Sequence, residues 1–325
     1  MKIKADYKII ILIFGFAVFS GLLYLRLSFE RDVKHDLYPL NSFKYKKNFF
    51  TEKITGLEFT KIEKGSFFMG SPENDHLKNR DEEPLTLIEV DSFYISATEV
   101  SNKDFGLFVK DTGYKTTSEK EGFSWIFSNL TGKWEKKKGL SWKNPGYDTK
   151  EDSPVVHVSF FDAKAFADWL TSKYKKRVFR LPFEYEWEYA AKEGSDNISY
   201  FYNNNETLCT FINGADISAK NYFQGWKINN CNDGFIFTAP VRYLKPSNSG
   251  LYNMLGNVWE WCDSKYFPVI QKKNKRIYGK KAKVVIRGGS FYSKPKYLRF
   301  TERDYLSSPE KRGYDIGFRI VMTEN

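Results

Sequence analysis

Few side chains in this chain suit a soft metal or a nucleophile. It has 3 cysteines, Cys209, Cys231 and Cys262, and 3 histidines, His35, His76 and His157. No CxxC pair exists, and the histidine spacing matches no zinc-ligand pattern. His157 lies between Val156 and Val158, where a hydrogen-bonded core histidine is the expected role. Cys209 and Cys231 are the nearest pair for one disulfide; three buried thiols are the alternative. Oxygen chemistry is richer. The stretch SFYSKPKYLRFTERD (290–304) gathers Ser290, Tyr292, Ser293, Glu302, Arg303 and Asp304. A desolvated Glu302 or Asp304 would serve as acid or base, and Arg303 would grip a carboxylate. A structural ion pair between Glu302 and Arg303 is the plainer expectation. Ser293 has no evident base, because no histidine follows His157. Asp233, Asn253, Asn257 and Glu260 stand in polar loops, where such oxygens converge on a hard cation or cap loop amides as Asx turns.

Elements able to position these groups are legible nearby. Ser101 followed by Asp104, and Ser159 followed by Asp162, have capping-box spacing and predict helix starts. Phe105, Phe108 and Val109 share a face of the first helix, which Gly113 ends. Ala163, Phe166, Ala167 and Leu170 form the apolar stripe of the second. A third helix is expected over LPFEYEWEYAAKEG, with Pro182 near its start and Gly194 at its end. Short strands are expected at 65–70, 85–96 and 284–291. Few helices, short strands and long loops predict an α+β fold.

The chain has 325 residues, 41% apolar and 18% aromatic, so it can bury a large core. Its formal charge of +11 is read as a solvated lysine-rich surface, including the runs at 136–138 and 272–276. No helix-turn-helix, zinc finger or RNP pattern is present, so nucleic acid is not an expected partner. Residues Ile9 to Leu25 are apolar, with Lys2, Lys4 and Lys8 before them and Arg26 after. They predict a signal anchor (1–26) that places the rest outside the cytoplasm, periplasmic or at the cell surface. A cleaved signal peptide is the rival reading. Residues 27–54 read as a stalk and 55–325 as one domain.

Seven motifs then occur in a telling order. They are GSFFMGS (65–71), TEVSN (98–102), PVVHVSF (154–160), RLP with EWEYAA (180–191), GLYNMLGNVWEW (250–261), RGGSF (287–291) and GFR (317–319). The run resembles the sulfatase-modifying-factor family, whose founder is the formylglycine-generating enzyme. The resemblance implies an α+β fold related to C-type lectins, low in regular secondary structure. It also implies two calcium sites. One would use Asn221, the Tyr222 carbonyl, Asp233 and the Phe235 carbonyl. The other would use Asn253, the Gly256 and Val258 carbonyls, and Glu260. The family enzyme carries two cysteines after the GGS motif that bind copper(I), a soft ion suited to thiolates. Here Ser293 and Leu298 stand at those positions, and Lys294 stands where the enzyme has histidine. Copper-dependent formylglycine formation is therefore not expected. The iron-binding HxxxHxE pattern of related sulfoxide synthases is absent too. The expectation is a membrane-tethered module that binds a peptide or protein or supports an envelope complex. Trp259 borders the cleft by the same resemblance. The alternatives are an oxidoreductase or tautomerising enzyme using Trp259, Ser290, Ser293, Glu302 and Arg303, or formylglycine formation by an unforeseen thiol pair.

Overall fold

Both capping boxes start helices as expected. In the computed structural model, which describes residues 49–193, 208–223, 225–271 and 281–324, helix α1 spans Asn102–Thr112. Ser101 Oγ accepts from the Asp104 amide, and Gly113 closes the helix in the left-handed conformation. Helix α2 is a short turn, Thr117–Glu121, that the sequence reading did not anticipate. Helix α3 spans Phe160–Ser172, with Ser159 and Asp162 reciprocally bonded. Helix α4 spans Glu184–Ala191 behind Phe183, so Pro182 lies outside it. Its expected stop, Gly194, the anchor at 9–25 and the charge run at 272–276 lie outside the described residues. Among those residues, no helix is long and apolar enough to cross a membrane.

A five-stranded antiparallel sheet has the order β1 (Phe49–Thr51), β2 (Glu58–Ile62), β5 (Phe93–Ser96), β13 (Val321–Glu324) and β8 (Arg177–Arg180). Strand β1 lies in the stretch read as stalk, so the folded domain starts earlier than residue 55. The long strand expected at 85–96 is broken. Its first part, β4 (Thr86–Val90), forms a hairpin with β3 (Gly65–Met69), while β5 joins the main sheet. In β4, Thr86, Ile88 and Val90 point inward and Leu87 and Glu89 outward, the period-two pattern of a half-buried strand. A second hairpin, β6 (Phe123–Ser128) with β7 (Lys133–Lys138), has every residue of β7 exposed, lysines included.

The smaller sheet has the order β11 (Arg303–Leu306), β10 (Val284–Arg287), β9 (Trp259–Lys265) and β12 (Ile316–Gly317). Strands β9 and β12 are parallel, and the rest of the sheet is antiparallel. An aromatic core fills the space between α1, α3 and the sheets, with Phe105 packed on Phe108, Trp142, Phe166 and Phe318. Trp187 and Trp261 are fully buried, donating to Glu260 Oε2 and the Val158 carbonyl. This mixed architecture with few helices agrees with the expected class.

Candidate functional site

Strand β10 ends at Arg287, whose guanidinium is buried. Nη1 donates to the Thr301 and Glu302 carbonyls at 3.1 and 2.7 Å, and Nη2 to the Phe300 carbonyl at 3.0 Å and to Glu188. These bonds fasten residues 300–302 beneath the turn that follows. Gly288 and Gly289 then take φ of 96° and 78°, a region that favours glycine. A Cβ at Gly289 would lie 2.9 Å from Leu298 Cδ2 and 3.2 Å from Ser293 Oγ. Only glycine lets these two side chains meet over the turn. Ser293 Oγ also accepts from the Ser290 amide at 2.9 Å.

Ser290 links this spot to a buried acid. Its Oγ donates to Asp315 Oδ2 at 3.1 Å. Asp315 is 1% exposed, and its Oδ1 has no hydrogen-bond partner among the described residues. Burial pushes its carboxyl up to about 7, against the pull of the Ser290 hydrogen bond. The neighbouring Tyr314 hydroxyl is likewise buried and without a hydrogen-bond partner. Above them stands a wall of rings. Trp134 packs edge-on against Tyr314 (5.6 Å between centroids) and Tyr292 (6.1 Å). Phe127 and Trp226 pack on Tyr292 at 5.3 and 4.6 Å, and the Lys294 ammonium sits 4.9 Å from the Trp226 ring. Trp134 keeps 41% of its surface exposed, so hairpin β6–β7 presents it to solvent.

The charged candidates fall elsewhere. Arg303 pairs with Glu184 through Nε at 2.6 Å and Nη2 at 3.1 Å, and Glu302 pairs with Arg299 at 2.5 Å. The expected Glu302–Arg303 pair is thus corrected: adjacent strand residues point to opposite faces, so each finds its own partner. Burial pushes Glu302 up to about 8 despite Arg299, with Glu82 adding to the rise. Asp304 is exposed. Trp259 belongs to the large core rather than the ring wall, and its amide donates to the Asp315 carbonyl. His157 is a core histidine: Nδ1 meets Ser124 Oγ at 2.7 Å and Nε2 the Pro145 carbonyl at 3.1 Å. Burial lowers its pKa to about 4.

Two buried clusters present oxygens suited to a hard cation. Near β9, Glu99 and Glu260 share one guanidinium, Arg319. Arg319 Nε and Nη2 meet Glu260 Oε2 and Oε1 at 2.6 and 2.7 Å. Trp187 Nε1 takes a third lone-pair site of Glu260, leaving one of about four open. Burial raises Glu99 to about 7 against the pull of Arg319, and Glu260 adds to the rise. Asn253 and Asn257 both adopt left-handed backbone, with φ of 50° and 60°. Asn253 Oδ1 is buried without a donor among the described residues, so Asn253 and Glu260 fit an oxygen-ligated ion. Gly256, with φ of 78°, passes so close to the Asn213 carbonyl that a Cβ would lie 2.1 Å from it.

The other proposed set does not assemble as named. Asn221 is exposed, and the Tyr222 carbonyl accepts from Asn129 Nδ2 at 2.9 Å. No hydrogen bond joins either residue to Asp233 among the described residues. Asp233 instead accepts from the Phe235 and Gly214 amides at 2.7 and 3.2 Å, and its own amide donates to Asp216. Burial and the facing Asp216 push Asp233 up to about 8. Asn213, just before Gly214, has a buried Oδ1 without a donor. The oxygens near Asp233 are therefore those of Asp216 and Asn213. Cys209 Sγ lies within 4.8 Å of both carboxylates, but it is bonded to Cys231 across a Cα separation of 5.8 Å and is no thiolate. Cys262 is a lone buried thiol. No free thiol pair exists at the glycine turn or elsewhere, because the 3 cysteines are thus accounted for.

The family model for a sulfatase-modifying factor enzyme 1-like domain matches residues 46–324. The chain belongs to the sulfatase-modifying factor family. It is 32% identical over 292 residues to the formylglycine-generating enzyme of Bos taurus, covering 80% of this chain and 73% of that protein. It is 31% identical over 287 residues to the "inactive C-alpha-formylglycine-generating enzyme 2" of Mus musculus, covering 80% and 83%. The structure is similar to that of PvdO from Pseudomonas aeruginosa, with a TM-score of 0.67 and 25% identity over 84% of this chain and 97% of that one. Relatives of this sulfatase-modifying factor chain thus include proteins named as active and as inactive. Sequence reading missed Trp134, Trp226, Asp315, Asn213 and Glu99. Trp134 was visible as the lone aromatic in the charged run KWEKKK; the others are set apart only by contacts across the fold.

Proposed function

We propose that this domain is a copper-independent member of the family, held at a membrane by its amino-terminal segment, that binds a peptide or protein outside the cytoplasm. One observation carries the reading: a hydroxyl and an isobutyl group, Ser293 and Leu298, meet over the glycine turn where the family resemblance calls for two thiols. Neither supplies a soft ligand. The rings of Trp134, Phe127, Trp226 and Tyr292 offer the rigid, amphipathic surface on which interface hot spots concentrate. Calcium at the Asn253–Glu260 cluster, and at an Asp233 site redrawn with Asn213 and Asp216, would brace the loops behind that surface as an electrostatic clamp.

Metal analysis of the purified full-length chain, together with partner capture, tests this. Calcium without copper or iron supports it. So does a partner recovered with the wild type and lost with Trp134→Ala. Stoichiometric copper or iron overturns it. A second reading is favoured by Asp315 alone: a desolvated carboxyl beside Ser290 suits acid–base catalysis. On that reading Asp315→Asn removes turnover while leaving partner capture intact.

A further inference from the structure

We propose that Glu99 is a positioning residue that turns the Asn253 side-chain oxygen toward a bound calcium ion. The inference rests on the calcium reading above and adds a residue the family resemblance did not supply. A side-chain amide presents an acceptor on one side and two donors on the other, and its partners decide which side faces where. Glu99 is fully buried and offers acceptors alone. Its Oε2 accepts from Asn253 Nδ2 at 3.0 Å, and its Oε1 from Asn257 Nδ2 at 2.8 Å. The Val241 carbonyl also accepts from Asn253 Nδ2, at 3.1 Å. Two acceptors thus hold the Asn253 amino group on one side. Its oxygen is left on the other, buried and without a donor.

The two asparagines differ in a way that singles out Asn253. Asn257 Oδ1 is satisfied, accepting from the Ala239 amide at 2.9 Å and Asn213 Nδ2 at 3.1 Å. A buried acceptor left unmade costs about 1–3 kcal/mol. A cation removes that cost at Asn253 and offsets the second of the two carboxylates that Arg319 alone faces. Glu99 does not ligate the ion in this arrangement, because its oxygens are committed to the two amino groups. Its role is that of an outer partner fixing the orientation of an inner one.

The test is calcium titration of chelator-stripped full-length protein by calorimetry, paired with melting curves with and without calcium. Glu99→Gln keeps the volume but replaces one acceptor by a donor, so one asparagine must reverse its amide. The affected site is expected to weaken about 10–100-fold, and the calcium-induced rise in melting temperature to shrink. The pair Glu99→Gln with Asn253→Asp is expected to recover binding, because a carboxylate has no amide to orient and accepts from the new glutamine. A purely structural Glu99 would shift the calcium-free melt without this rescue. If Glu99→Gln does not melt cooperatively, the double variant decides: wild-type-like calcium affinity supports the role, and a folded double variant that still binds weakly overturns it. Unchanged affinity in a folded Glu99→Gln overturns the role of Glu99 alone. No calcium binding by the wild type overturns the calcium reading itself.

Discussion

Restoring the thiols tests the reading of the cleft most directly. In the variant Ser293→Cys/Leu298→Cys, both sulfurs would stand over Gly289, where Ser293 Oγ and Leu298 Cδ2 now come within 3.2 and 2.9 Å of the glycine's Cβ position. Leu298 is buried, so replacing it by cysteine removes about two methylene equivalents, roughly 1.6 kcal/mol, before any cavity cost. Ser293→Cys exchanges the 2.9 Å bond from the Ser290 amide for a weak sulfur acceptor, about 1 kcal/mol. A loss of about 3 kcal/mol lies inside the stability of an ordinary domain. The variant should fold, with its melting temperature lowered by several degrees. Competition for Cu(I) against a colorimetric chelator, done anaerobically, reads the outcome. One Cu(I) per chain bound by the variant and none by the wild type is expected. Tight stoichiometric Cu(I) binding by the wild type would refute the reasoning. So would a folded double variant that neither binds copper nor closes a disulfide on oxidation, since its positions would then not converge.

Three further outcomes follow from buried groups. His157 is held at about 4 in the fold against 6.5 unfolded, so the unfolded chain binds the extra proton below pH 6.5. The stability that neutral His157 contributes is complete above pH 6.5 and drains as pH falls toward 4, about 3 kcal/mol in all. Urea unfolding at a series of pH values should show that slope, reduced in His157→Gln; an identical slope would remove His157 as its source. Reducing the Cys209–Cys231 bridge, which spans a separation of 22 residues, should lower stability by about 3 kcal/mol, and an unchanged melt on reduction would count against the bridge. Arg319→Met strips Glu260 of its buried guanidinium and should cost about 3–5 kcal/mol, measured by denaturant midpoint. A cost below 1 kcal/mol would mean the cluster is hydrated.

Much of the fold was written in local pattern. The spacings Ser101–Asp104 and Ser159–Asp162 are short-range devices whose partners sit three residues away, and both helices begin there. The seven ordered motifs carried the family. The strand at 85–96 was misjudged because its apolar run is continuous, and only pairing with β3 and β2 separates the two halves.

Sequence by itself determined that no two thiols follow the GGS turn, since composition and order settle that before any folding. Tertiary structure alone decided which oxygens are neighbours. Asn213 reaches Asn257 across 44 positions, Glu99 reaches Asn253 across 154, and Ser290 reaches Asp315 across 25. Such contacts follow from how sheets and loops close around the core, and a buried carboxylate's partner leaves no periodic trace along the chain. For the same reason Asn221, plausible by local motif, stays in solvent while Asn213 is sealed inside.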